Sequence, residues 1–118
     1  MEQEKMTDEL CLKYIKTYDE IMNKAIEHEK KLNNERKRLA LRDWATQNAP
    51  YRVGDIIESN GTIIEIDRLE GDCYRNELYP VYYGFVLTKA LKPRKDEFRT
   101  SIFGEKGREI KLIKRSEQ

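Results

Sequence analysis

Between residues 88 and 115 ten basic side chains stand against four acidic ones, a net of +6. Residues 51–87 carry three basic against seven acidic, a net of −4. Aromatic residues are threaded through both stretches: Tyr74, Tyr79, Tyr82, Tyr83, Phe85, Phe98 and Phe103. Cations with interleaved rings are the chemistry that tracks a phosphate backbone and stacks bases. The candidate phosphate contacts are Lys89, Lys92, Arg94, Lys95 and Arg99, around Pro93 on a connection that must run over the surface. Tyr74 or Tyr82 would offer the stacking face. The same residues have a second use, in which Tyr83, Phe85 and Phe98 fill an interior and the lysines keep the surface solvated.

Other chemistry is sparse. Asp55, Glu58, Glu65, Asp67, Glu70 and Asp72 could in principle supply an acid–base pair, but they also read as solvated strand faces and turns. Asp55 is expected to bond the backbone of its own turn. There is no phosphate-cradling glycine loop, no H-E-x-x-H and no G-x-S-x-G. His28 is the single histidine and sits between two glutamates, a surface position rather than a ligand. Cys11 and Cys73 lie one in each half with no C-x-x-C spacing, which fits neither a disulfide scaffold nor a zinc site and suits a reducing cytoplasm. No enzyme activity, metal or cofactor is expected. The formal net charge of +1 gives no global field toward nucleic acid or membrane. No apolar run is long enough to span a bilayer, and the acidic start MEQEKMTDEL is unlike a secretory signal.

These residues need positioning elements. Residues 7–47 contain no glycine or proline and are rich in helix formers. Thr7 is a candidate N-cap, with Asp8 and Glu9 in the first turn. Leu10, Tyr14, Ile15, Tyr18, Ile21, Met22, Ala25 and Ile26 form an amphipathic stripe. A heptad row runs through Cys11, Tyr18, Ala25, Leu32 and Leu39. Its companion row, Ile15 and Met22, fails at Glu29 and Arg36. A long helix, continuous or kinked, is favoured over a helical hairpin in which Asn33-Asn34 ends one helix and caps the next. Ile15, Tyr18 and Met22 would carry self-association.

Asn48-Ala49-Pro50 ends the helical segment, 1–49, and a β domain follows, 50–118. Five strands are expected at 51–58, 62–69, 81–88, 98–103 and 108–114. Asn60-Gly61 joins the first two in a type I′ turn, since both residues tolerate positive φ. Trp44, Leu41 and Leu39 should cover one end of the β domain. About 65 residues in five strands favours closure into a barrel, which removes sheet edges. Val53-Gly54-Asp55-Ile56-Ile57, followed by Ile63-Ile64-Glu65-Ile66, resembles the opening of SH3-like small barrels of the KOW and Tudor-like groups, although the further glycine-rich repeat of the KOW pattern is absent. The resemblance implies a five-stranded antiparallel SH3-like barrel, and binding rather than catalysis; with the helical segment before it the chain is expected to be an α+β protein.

Two functions fit this reading. One is a non-enzymatic binding module using a basic barrel face on nucleic acid. The other is a protein–protein adaptor or inhibitor, of the kind found among phage or mobile-element accessory proteins, that assembles through its helix. The expected partners are a second copy of the chain and either nucleic acid or a protein, with no membrane.

Overall fold

The computed structural model describes residues 5–24 and 27–116. Two helices precede five strands: α1 (Asp8–Lys24), α2 (Glu27–Asn48), β1 (Ile56–Ser59), β2 (Thr62–Tyr74), β3 (Glu77–Leu87), β4 (Arg99–Phe103) and β5 (Lys111–Lys114). Thr7 caps α1 as expected, its hydroxyl accepting the Leu10 N–H at 3.2 Å. The expected long helix is instead a pair of antiparallel helices. The Trp44 indole N–H donates to Asp8 at 2.6 Å, and Lys37 pairs with Asp19 at 3.1 Å. The expected break at Asn33-Asn34 falls inside α2, where Asn33 is buried. Burial explains the fold-back. Cys11 and Ile15 of α1 and Leu41, Trp44 and Ala45 of α2 all enter one core. One helix over residues 7–47 would run roughly 60 Å and could lay only part of its length on so small a sheet. Ala25 and Ile26, the end of the expected stripe, lie outside the described residues, as does the side chain of His28.

The sheet is antiparallel, in the order β4-β3-β2-β1-β5. Asn60 and Gly61 make the expected turn with φ of 50° and 83°, pairing Ser59 with Thr62. The segment expected to be a long connection, residues 70–80, is instead strand. β2 and β3 extend through it to a second tight turn at Arg75-Asn76, with φ of 50° and 63°. β4 and β5 do not pair with each other, so the sheet stays open and the expected barrel does not close. The edge strands are only five and four residues long. The helices cover the inner face in place of further strands.

Register decides which side chains go inside. Ile57, Ile64, Ile66, Leu69, Tyr82, Val86 and Ile102 meet the helices. A bulge at Asp67 lets Ile66 and Leu69 both face inward, although strict alternation would separate them. Gly71 brings α2 close: a Cβ there would overlap the Leu41 carbonyl oxygen. Glu70 is buried, and its Oε1 accepts from Arg38 of α2 at 2.9 Å and from Arg68 of β2 at 3.0 Å, tying helix to sheet. The helical and β segments therefore share one core. Among the described residues, no helix is long and apolar enough to cross a membrane.

Asp55 latches the C-terminal stretch to the start of the sheet. It has no exposed surface and accepts the backbone N–H of Arg52 at 2.9 Å, that of Ser116 at 2.7 Å and an Arg115 N–H at 3.1 Å. Burial alone would raise its pKa, but these donors outweigh burial and hold the carboxyl below its usual range. A depressed folded pKa stabilises above the unfolded value, near 3.8, and the contribution is lost as pH falls through the folded value. We expect the parent to lose stability as pH drops below about 4. Asp55→Asn should cost about 1.5–3 kcal/mol at neutral pH and should flatten that acid limb. Thermal melts of both proteins from neutral to acid pH check this. Parallel pH curves would show that the latch does not titrate with folding.

Candidate nucleic-acid interface

The β3–β4 connection, residues 88–98, is tied to the sheet rather than free. Leu91 N–H donates to the Thr88 carbonyl, Thr88 N–H to the Lys92 carbonyl and Val86 N–H to the Phe98 carbonyl, each at 2.8 Å. Pro93 bridges to Leu87. Leu91 sits at φ 61° and Glu97 at φ 50°, costly for a leucine. The Leu91 side chain offsets this by packing on Ile56, Ile63 and Leu87, which form a small second apolar cluster. The connection thus has a defined shape, and it holds Lys89, Lys92, Arg94 and Lys95 in solvent.

Beside it lies the outward face of β2, β3 and β4. Phe85 pairs across the strands with Glu65 on one side and Arg99 on the other. The Arg99 guanidinium lies 5.2 Å from the Phe85 ring centre and also pairs with Asp67 at 2.6 Å. Arg94 lies 5.5 Å from the Phe98 ring and pairs with Asp96 at 2.7 Å. Arg68 covers Tyr83 at 5.2 Å. All three phenylalanines of the chain are exposed around β4: Phe85 at 41%, Phe98 at 51% and Phe103 at 39%. A groove of about 400 Å³ separates the connection from the sheet, lined by Phe85, Pro93 and Arg94 together with the carboxylates Glu65, Asp67 and Glu97.

The structure brings together five of the seven residues expected here, Lys89, Lys92, Arg94, Lys95 and Arg99. It separates the other two. Tyr82 is 1% exposed on the core face, its ring edge-on to Tyr51 at 5.7 Å, and burial pushes its phenol well above the usual range. It cannot stack on a base. Tyr74 is exposed, but it sits at the β2–β3 turn under Arg75. The whole length of β3, roughly 34 Å, separates it from the connection. Phe85 and Phe98, read above as interior candidates, are the rings that face solvent beside the cations. The alternation of β3 is the one signal that could have singled out Phe85, and Tyr82 and Tyr83 fit either face equally well; Phe98 lies just outside β4 and carries no such signal.

Of the other carboxylates, Asp55 is the latch, Glu70 the helix clamp and Asp67 the partner of Arg99. Among the described residues, no three histidine, cysteine or carboxylate side chains converge to hold a metal ion. The oligomerisation residues also divide. Ile15 is buried in the core of its own chain, while Tyr18 and Met22 are half-buried. Comparison with protein-family models, with curated proteins and with solved structures found no match.

Proposed function

We propose that the chain is a non-enzymatic binding module that takes single-stranded nucleic acid along its β3–β4 connection. The observation that carries this is the exposure of Phe85 and Phe98 beside a connection bearing four basic side chains. A large ring left in water costs stability, so a cluster of them marks a binding surface. Exposed rings stack on unpaired bases, and a duplex would hide those faces, which favours a single strand. The ion pairs of Arg94 and Arg99 are solvent-exposed and worth about 1 kcal/mol or less each. A phosphate can therefore replace either carboxylate. Glu65, Asp67 and Glu97 repel phosphate from the groove itself, so the backbone would pass along the lysine side with bases turned toward Phe85 and Phe98. We read the open sheet as a relative of the SH3-like barrels whose first hairpin residues 53–66 resemble.

Fluorescence anisotropy with labelled single-stranded and duplex oligonucleotides tests the proposal. Five cationic contacts predict that log affinity falls with log salt at a slope of about −3.5 for a single strand. Absence of binding at low salt, or a slope near zero, would exclude it. A second reading rests on β4, whose outer edge has no strand partner among the described residues. An extended protein segment could add a strand there. Salt-insensitive binding of a peptide in place of oligonucleotides would favour that adaptor role.

A further inference from the structure

We infer that the outer face of the helical hairpin is the interface of a two-fold symmetric dimer of this chain. The inference is independent of the nucleic-acid reading, whose surface lies on the sheet. The stripe expected to drive self-association is partly used up inside the chain, since Ile15 and Cys11 belong to the core. What remains outside is the flank of that stripe, together with two leucines of the heptad row. Ile21, Leu32 and Leu39 are 42, 48 and 41% exposed. Tyr14 and Tyr18 stack on each other at 6.3 Å and 19°. With Leu39 they line a groove of about 520 Å³ between the helices. Leu39 lies on nearly the opposite side of α2 from Leu41 and Ala45, which face the core. The groove therefore opens away from the sheet.

The charges on this face point to a second copy as the occupant. Leu32, Arg36, Leu39 and Asp43 follow one another at spacings of four, three and four, so they fall on one line along α2. Arg36 and Asp43 both line the groove and are exposed, and neither pairs with another described residue. They are equidistant from a point between Leu39 and Ala40. A two-fold axis at that point would run two α2 helices antiparallel and set Leu39 against its own copy. It would bring Arg36 of each chain opposite Asp43 of the other. Self-complementarity of this kind is what a two-fold contact requires and what an unrelated partner has no need of. The area suffices. A face as long as α1, about 26 Å, and two helices wide, about 20 Å, offers roughly 500 Å² per partner, at the lower limit for a specific interface.

Sedimentation of the full chain at concentrations of tens of micromolar tests this, and the expected mass is twice 14.1 kDa. Arg36→Asp alone and Asp43→Arg alone each turn both crossings from attraction to repulsion. Each should weaken the dimer roughly tenfold to hundredfold. Mixing the two variants restores opposite charges at both crossings, so the mixture should sediment as a dimer where each variant alone does not. Leu39→Glu, at the centre, should give a monomer that no mixing rescues. Both charge changes are at exposed positions, and circular dichroism should be unchanged. A parent that sediments as a monomer, single variants with undiminished mass, or a mixture no heavier than its components would each overturn the dimer.

Discussion

Residues 50–118 produced without the helices are expected to be unfolded. The inner face of the sheet is dry only because the hairpin covers it. Ile57, Ile64, Ile66 and Tyr82 are almost wholly buried, and they share their core with Met6, Cys11, Ile15, Leu41, Trp44 and Ala45. Losing the burial of Trp44, Leu41, Ile15 and Met6 removes about 1.5–3 kcal/mol for each side chain, or roughly 6–12 kcal/mol together. That equals the whole stability of an ordinary small domain, about 5–15 kcal/mol. The clamp of Arg38 on Glu70, which ties helix to sheet, goes as well. Leu39, expected from the sequence to contribute, is exposed and should matter little to the fold. In the full chain, Trp44→Ala alone should cost about 3–5 kcal/mol, because it opens a cavity and removes the indole bond to Asp8. Circular dichroism and thermal melting decide the point. If residues 50–118 melt cooperatively at the temperature of the full chain, the shared core contributes nothing and the packing account is wrong.

The second large effect concerns binding. Lys92, Arg94 and Lys95 changed together to glutamate should weaken single-stranded oligonucleotide binding by about a hundredfold and reduce the salt slope by about 2. The estimate takes about 0.7 per lost phosphate contact for a single strand. Stability should barely change. All three side chains are exposed, and the Arg94–Asp96 pair is a surface contact of small worth. The backbone bonds of the connection and the bridge at Pro93 do not involve these side chains. Phe98→Ala should remove stacking worth about 1–3 kcal/mol without altering the slope. Tyr74→Ala, at the far end of β3, should have no effect, which separates this surface from a diffuse attraction to any basic region. If the triple variant binds as tightly as the parent, the charge segregation serves solubility or protein docking instead.

The sequence by itself determined what local chemistry controls. The Thr7 cap, the helix-forming run, the Asn60-Gly61 turn and the Asp55 bond to the Arg52 N–H each depend on a few neighbouring residues, and each has a strong intrinsic preference, whereas the Asp55 bonds to Arg115 and Ser116 join residues about sixty positions apart. The α+β order, helices first and strands after, follows from the same local signals. The basic connection was legible for a similar reason, since lysines around a proline stay on the surface in any fold. The tertiary structure alone decided the rest, because the deciding contacts join residues far apart in the chain. The helices fold back because two distant apolar stripes must cover one sheet face, with Gly71 admitting the α2 backbone. The tight turn at Arg75-Asn76 holds because Asn76 tolerates positive φ while the long pairing of β2 with β3 imposes it on Arg75, which has little preference for it. Tyr82 is inside and Phe85 outside because the bulge at Asp67 and the β2–β3 register choose one face. A period of two is satisfied equally by either face, and one residue of slip exchanges core for binding surface.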